Sequence, residues 1–177
     1  MVLFWNRLNI LNLTLVFVLT VLLSGFQTTA WYQIFGSLPS PLLWLNLVLY
    51  LILYRSFTEG VLTIYAMGLL LKPFTAMPLG LLWLNLLVVF LIMSSVKKRV
   101  FWPGSRYFLF ASFGIAVTYH LSYLLVSRWL ESNPASFSFF HRFLEITFTG
   151  LTAVPMYALF SLVDHLTNKE TSGGSET

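Results

Sequence analysis

The 177-residue chain contains no cysteine and very few charged residues, and each shortage excludes a class of protein. Without cysteine there can be no disulfide bond, no thiolate metal site and no cysteine nucleophile. Charged residues make up 9% of the chain, whereas a soluble domain carries about 25%. So few charges cannot cover the surface of a compact soluble domain. The composition therefore excludes an ordinary globular enzyme, a disordered protein and a nucleic-acid-binding domain.

The chain is instead rich in apolar residues, which make up 58% of it, and the mean hydropathy is +0.81. They form continuous runs, whereas the strands of a membrane β-barrel alternate apolar and polar residues. A transmembrane helix needs about 20 apolar residues, so a chain of this length has room for at most about seven. The sequence therefore predicts an all-α integral membrane protein without a sizeable soluble domain.

The apolar runs predict a bundle of six transmembrane helices. Residues 1–166 are expected to form this single transmembrane domain. The chain is polar from Asp164 onward and rich in Gly and Ser, and residues 167–177 are predicted to be a disordered cytoplasmic tail. The predicted spans are Leu8–Phe26, Leu42–Tyr54, Ser56–Ala76, Leu79–Val96, Tyr107–Ser127 and Phe143–Val163.

Several segments carry signals for their local structure. The first run exceeds the roughly 7–15 apolar residues of a signal peptide, so we interpret it as a retained span. The segment Gln27–Pro41 is predicted to be a loop, and its aromatic residues and Trp44 are expected at the membrane interface. The segment Ser56–Ala76 is either a span with a distorted end at Pro73 or a re-entrant segment, and we favour the span. Pro155 is expected to kink the last span.

The Lys and Arg residues predict the orientation of the spans. An even number of spans places both termini on one side, and seven of the ten Lys and Arg residues lie on that side. Cytoplasmic loops carry an excess of such residues, so both termini are expected in the cytoplasm. The cluster Lys97–Arg99 supplies most of the excess. The net charge of +4 is explained by the same bias, and no partner nucleic acid is expected.

The hexapeptide LLWLNL occurs twice, at the start of the second and of the fourth span. Trp44 and Trp83 are expected at similar depth as aromatic-belt residues, with Asn46 and Asn85 about 3 Å further in. Two interpretations remain open for the asparagines. They form a paired polar contact between parallel helices, worth roughly 0.6 kcal/mol, or they face the lipid headgroups.

Polar residues inside membrane spans are costly and are therefore candidates for function. Glu145 follows Arg142 by one helical turn, so the two can form an interfacial ion pair. The alternative is a carboxylate that lines a cavity or contacts a partner. His120 is expected to be a neutral, hydrogen-bonded histidine rather than a proton relay. The polar intramembrane candidates are Asn46, Asn85, His120, Glu145, Arg142 and Lys72.

No motif in the sequence identifies a catalytic, cofactor-binding or metal-binding residue. The three histidines include no pair four residues apart with a nearby carboxylate, as a helical zinc site needs. The glycines are too dispersed for a phosphate-binding loop, and no nucleophile motif accompanies a base. We therefore predict a protein that is not an enzyme and binds no cofactor.

Small residues in the fifth span predict a helix-packing face. Ser112 with Ala116, and Thr118 with Ser122, are small residues four positions apart, a spacing that lets membrane helices approach closely. These four residues are candidate partner-binding residues. The alternative is that they pack against helices of the same chain.

A characteristic order of Pro, Gly and basic residues runs along the chain: Pro41, Arg55, Gly68–Leu71, Pro78–Gly80, Lys97–Arg99 and Pro155. With these features the stretch from Pro39 to Phe101 resembles the rod shape-determining protein MreD family of bacteria, and the length and six-span layout extend the resemblance over nearly the whole chain. One position departs from the pattern: Lys72 stands where the family often has an acidic residue, so no role of that carboxylate is carried over. A lysine there favours an anionic partner or a lipid phosphate.

The resemblance implies a multi-pass subunit of the cell-elongation machinery in the bacterial inner membrane. It implies an MreC-type single-span protein as direct partner, besides membrane lipids. Through that partner it implies association with MreB filaments, RodA and a class B penicillin-binding protein. It also implies a fold similar to the substrate-binding components of energy-coupling-factor vitamin transporters.

Three hypotheses follow for the function. The first is a non-enzymatic scaffold subunit that organises peptidoglycan synthesis and cell shape. The second is the substrate-binding membrane subunit of a small-molecule transporter, suggested by the fold type and by the polar residues around His120 and Glu145. The third, an intramembrane enzyme, is disfavoured because paired acid and base groups are missing.

Overall fold

The computed structural model describes residues 7–131 and 138–167, which are helical apart from short connections and include no strand. This confirms the predicted all-α class. A π-helical turn, Phe26–Ala30, joins the first two helices, and a 3-10 turn, Lys72–Phe74, follows the fourth. The helices are α1 (Arg7–Gly25), α2 (Trp31–Phe35), α3 (Leu43–Tyr54), α4 (Phe57–Leu71), α5 (Leu79–Val100), α6 (Ser105–Leu130), α7 (Phe139–Leu151) and α8 (Ala153–Leu166).

Three helical segments of the described part are long and apolar enough to cross a membrane: Asn9–Phe35, α5 and α6. The pair α7 and α8 passes the same test as a single unit, although the two helices are bent by 45° relative to each other. Helix α3 has 12 residues and α4 has 15, fewer than the roughly 20 of a straight span. The described chain thus has three or four candidate spans and is compatible with a multi-pass membrane protein.

Helix α3 lies at the centre of the bundle. All of its residues are buried, and it packs against α1, α4, α5, α6 and α8. A helix that other helices surround is apolar on every side, and α3 consists of Leu, Val, Ile, Tyr and Trp apart from Asn46. At its C-terminus Lys97 Nζ, on α5, donates hydrogen bonds to the carbonyl oxygens of Ile52 (3.1 Å) and Arg55 (3.2 Å). A side chain of the same protein therefore satisfies the end of this short helix.

The segment Gln27–Pro41, predicted to be a loop, is helical as far as Phe35. No Gly or Pro interrupts it before Gly36, so the first helix continues through the π-helical turn into α2. Gly36 ends the helix with a φ of 64°, a conformation that favours glycine. The prediction therefore placed the start of the loop too early in the sequence.

Helix α4 also differs from the predicted segment Ser56–Ala76, since its α-helical part ends at Leu71. Pro73 lies in the following 3-10 turn, as expected from the restriction that proline places on the preceding residue. Lys72 Nζ donates a hydrogen bond to the carbonyl oxygen of Met77 at 3.1 Å. The ammonium group therefore links the beginning and the end of the segment that connects α4 to α5.

The predicted kink in the last span is confirmed by the 45° bend between α7 and α8, which meet at Thr152. Pro155 has no N–H to donate to the carbonyl oxygen one turn before it, which weakens the helix at this point. Gly150 contributes to the local packing, because a Cβ there would overlap the ring of Phe113 on α6. The bend and this close approach fix the position of α8 beside α3 and α6.

Candidate functional site: polar side chains buried around α3

An ion pair between Arg55 and Asp164 forms the centre of a buried polar cluster. Arg55 directly follows α3, Asp164 lies in the last turn of α8, and the guanidinium Nη2 contacts the carboxylate Oδ1. Arg55 is 2% exposed, so the pair is almost fully removed from solvent. Two buried charges are tolerable only when they are paired and further hydrogen bonds satisfy the remaining atoms. We call this group the Arg55 cluster; its members are Asn12, Tyr50, Arg55, Asp164 and Thr167.

The rest of the Arg55 cluster supplies most of those hydrogen bonds, whereas Arg55 Nη1 has no hydrogen-bond partner within the described residues. Asn12 Nδ2, on α1, donates to Asp164 Oδ1 at 2.9 Å and to Thr167 Oγ1 at 2.7 Å. Asn12 Oδ1 accepts from Arg55 Nη2 at 3.1 Å, and Tyr50 donates its hydroxyl to Asp164 Oδ2 at 2.8 Å. Glu59 Oε1 approaches Arg55 Nε at 3.8 Å from the more exposed side. The cluster thus ties α1, α3 and α8 together at one end of the bundle.

The Arg55 cluster was not predicted from the sequence. In the sequence Arg55 is the basic residue that follows the second predicted span and a feature of the family resemblance, and Asp164 is the start of a polar segment. In the structure α8 continues past Asp164 to Leu166, and Thr167, the first residue of the predicted tail, is buried. Residues 168–177 of that tail lie outside the described part of the chain. One usable signal is that Asp164 is the single aspartate of the sequence.

A second polar group lies in the middle of the bundle, around Asn46 on α3. Asn46 Oδ1 accepts a hydrogen bond from Ser112 Oγ on α6 at 2.5 Å, and Asn46 Nδ2 donates to the carbonyl oxygen of Thr149 on α7 at 3.1 Å. The Thr149 hydroxyl accepts from the backbone N–H of Leu42 at 2.9 Å. These bonds provide partners for the backbone N–H of Leu42 at the start of α3 and for the carbonyl oxygen of Thr149 near the α7–α8 bend. Helix ends and bends leave such backbone groups without a partner in the helix itself.

Asn85, the second asparagine of the repeat, is also buried and contacts Ser122 Oγ through its Oδ1. Each asparagine therefore pairs with a serine of α6. This corrects both earlier interpretations: the asparagines do not form a contact with each other and do not face headgroups. The sequence could not distinguish these cases because it does not indicate that α6 lies beside both α3 and α5.

The tryptophans of the repeat occupy different environments, which corrects the prediction of a shared aromatic belt. Trp44 is buried and packs edge-on against Tyr119 at 5.3 Å between ring centroids. Trp83 is only partly buried, stacks on Tyr65 at 4.4 Å and donates its Nε1–H to the Tyr65 carbonyl oxygen. Trp44 is therefore a core residue, since α3 is central and α5 is peripheral.

The predicted ion pair between Arg142 and Glu145 is present, with Arg142 Nη1 and Glu145 Oε2 2.9 Å apart. His120 on α6 brings its Nε2 to 3.6 Å from the same oxygen. His120 is 4% exposed, and neither ring nitrogen has a hydrogen-bond partner within the described residues. The histidine is buried as expected, but the hydrogen bond that was expected with it is not formed.

The candidate partner-binding residues of α6 are mostly internal. Ser112, Ala116 and Ser122 are buried against neighbouring helices of the same chain, and Thr118 is the one of the four that is partly exposed. The Thr118 hydroxyl donates to the carbonyl oxygen of Gly114 in its own helix. Internal packing, the alternative interpretation, therefore describes three of the four residues.

Two apolar grooves lie on the outside of the bundle. One lies between α4 and α5 and is lined by Val61, Tyr65 and Trp83 among others. The other, which we call the α5–α6 groove, has a volume of about 340 Å³ and opens next to exposed side chains of α6. It is lined by Leu84, Leu125, Val126, Trp129 and Leu130.

The described residues contain no group of three or more His, Asp or Glu side chains placed to hold a metal ion. The two buried charges of the Arg55 cluster are paired where α3 and α8 meet, and the uncharged Asn12 of α1 bonds to both of them. Comparison with known proteins adds no assignment, since no protein-family model, curated protein or solved structure matches the chain significantly.

Proposed function

We propose that this chain is a non-enzymatic scaffold subunit of the bacterial cell-elongation machinery in the inner membrane. Its direct partner is a single-span, MreC-type protein, through which it acts on peptidoglycan synthesis and cell shape. MreB filaments, RodA and a class B penicillin-binding protein belong to the larger assembly. The MreD-like order of Pro, Gly and basic residues along the chain supports the proposal.

One structural observation carries this proposal: the side chains of α3 fill the centre of the bundle. A transporter subunit needs a central cavity for its substrate, and here Leu45, Leu49 and Leu53 lie fully buried along that axis. The polar groups of α3 are bonded to side chains and backbone of the same chain. The surface left for function is therefore the outside of the bundle.

In the proposed membrane topology the six apolar segments cross the bilayer and both termini are cytoplasmic. The Arg55 cluster and Lys97–Arg99 then lie toward the cytoplasm, and Glu145 lies toward the other side. The short helices α3 and α4 are accommodated because neighbouring helices satisfy their ends. The proposal includes a fold similar to that of the substrate-binding components of energy-coupling-factor transporters.

We place the partner's transmembrane helix in the α5–α6 groove. Leu125 and Trp129 are 65% and 87% exposed there, and a single apolar helix would cover them. In lipid, such an association depends on close packing rather than on the hydrophobic effect. A groove between two helices supplies the shape that this packing requires.

Site-specific photocrosslinking in cells tests the proposal. A photoreactive residue at Leu125 is compared with one at Leu62 on α4, which is equally exposed at 66% but lies outside the groove. The expected result is one discrete crosslink at Leu125, identified as the MreC-type protein by mass spectrometry, and none at Leu62. Absence of that crosslink, together with unchanged cell shape on depletion, contradicts the proposal.

The second candidate is the small-molecule binding subunit of a transporter. It is favoured by one observation, the two buried ring nitrogens of His120 that have no hydrogen bond from the described chain. Mass spectrometry of the purified, denatured protein separates the two candidates. A stoichiometric vitamin or nucleobase that is lost in His120→Phe favours the transporter, and its absence favours the scaffold.

A further inference from the structure

The turn between α5 and α6 carries the strongest exposed cationic patch of the described chain. Lys98 and Arg99 lie in the last turn of α5, Arg106 lies in the first turn of α6, and all three side chains are exposed. None of the three forms an ion pair within residues 7–131 and 138–167. No acidic residue occurs between Glu59 and Glu131, so the sequence around the turn supplies no neutralising carboxylate.

An exposed tryptophan lies among these cations. Trp102 is 78% exposed, between Arg99 and Arg106 in the chain. An indole ring prefers the membrane interface, where its apolar body meets the hydrocarbon and its N–H meets the headgroups. A cationic patch with an interfacial indole suits a lipid headgroup better than a free anion, because the ring adds apolar contact that a free anion cannot use.

The turn is held in place by the core. Phe101 packs its ring between Tyr54 at 5.8 Å and Tyr107 at 5.7 Å, centroid to centroid. Gly104 donates its backbone N–H to the Tyr54 hydroxyl at 3.5 Å and adopts a φ of 133°, which other residues rarely adopt. The exposed residues on either side are therefore presented in a fixed arrangement.

We propose that this turn binds the headgroup of an anionic phospholipid, with Lys98, Arg99 and Arg106 around the phosphate and Trp102 at the interface. The inference goes beyond the scaffold role and depends only on the membrane insertion that the scaffold role also assumes. Anionic lipids attract basic residues placed directly beside a transmembrane helix. The opposite end of α6 supplies a natural comparison, because Arg128 and Trp129 form an exposed pair there and the acidic Glu131 follows them three and two residues later.

Native mass spectrometry of the full chain in a mild detergent tests this inference. The protein is titrated with phosphatidylglycerol and, separately, with phosphatidylcholine of the same acyl chains. We expect preferential binding of phosphatidylglycerol, weakened about fivefold by Arg106→Gln, since one cation near an anionic surface contributes about that factor. Arg128→Gln, at the other end of the same helix, is the matched control and should leave binding unchanged.

The indole contribution is tested with Trp102→Ala, which should weaken lipid binding, against Trp129→Ala, which should not. Inorganic phosphate is added as a competitor, and it should not displace the bound lipid at equal concentration. Equal binding of the two lipids, equal effects of Arg106→Gln and Arg128→Gln, or displacement by phosphate would each overturn the inference. Thermal unfolding of every variant identifies any loss of binding that is caused by unfolding. The crosslinking test of the scaffold role does not depend on these results.

Discussion

The guanidinium of Arg55 and the carboxylate of Asp164 form an ion pair across a sequence separation of 109 residues, buried where α3 and α8 meet. Asn12 of α1 contacts both members of the pair. Helices α1 and α3, from the first third of the described chain, and α8, from its end, are thus joined at one point. The integrity of the bundle should depend on this point more than on any single apolar contact.

Replacing Asp164 with Asn leaves the guanidinium of Arg55 buried without its counter-charge. We expect the free energy of unfolding to fall by about 3–5 kcal/mol. Glu59→Gln is the matched control, because Glu59 contacts the same guanidinium from a side chain that is 39% exposed. Its effect should stay below about 1 kcal/mol. Denaturant unfolding in detergent measures both, and equal effects would contradict the central role of the buried pair.

A double replacement tests whether charge pairing itself causes that loss. Arg55→Met combined with Asp164→Leu removes both charges and leaves neither one unpaired. The double variant should be more stable than either single variant, with a coupling free energy of about 0.5–3 kcal/mol. Additive effects of the two replacements would indicate that the side chains contribute independently, as packing groups.

Ser112→Ala removes the donor to Asn46 Oδ1 in the middle of the bundle. We expect the free energy of unfolding of the purified protein, measured without a partner, to fall by about 0.6–2 kcal/mol. The reason is that the asparagine oxygen is left without its donor in an apolar interior. Thr118→Ala on the same helix removes a hydroxyl that is partly exposed and bonded within its own helix. It should change stability very little. Reduced partner binding by Ser112→Ala at unchanged stability would instead make Ser112 a partner-binding residue.

Gly150→Ala should destabilise the α6–α7 contact. A Cβ at this position would overlap the ring of Phe113, so the ring or the helix must move. The cost of such overpacking is about 1–3 kcal/mol. Gly114→Ala is the control, since nothing lies within 4 Å of the position that its Cβ would occupy. A thermal melt in detergent should therefore show a lower midpoint for Gly150→Ala only.

The helical segments follow from local properties of the chain, and the sequence predicted them well. Continuous apolar runs without Gly or Pro must form helices in hydrocarbon, because each backbone N–H needs a partner within its own segment. Pro155 predicted the bend of the last span for the same reason. The clearest local error concerns Gln27–Pro41, where aromatic residues were interpreted as a loop although the first helix breaker is Gly36.

The sequence by itself determined the apolar character of the chain and the residues that form helices, because apolar content and the spacing of helix breakers act over short distances. Only the tertiary structure decided that α3 is the central helix, that Asn46 and Asn85 each pair with a serine of α6, and that Arg55 joins Asp164. These pairings depend on which helices become neighbours. In apolar segments of similar composition many arrangements bury the same surface, so the few polar contacts distinguish them, and a contact between distant residues leaves no periodic signal in the chain.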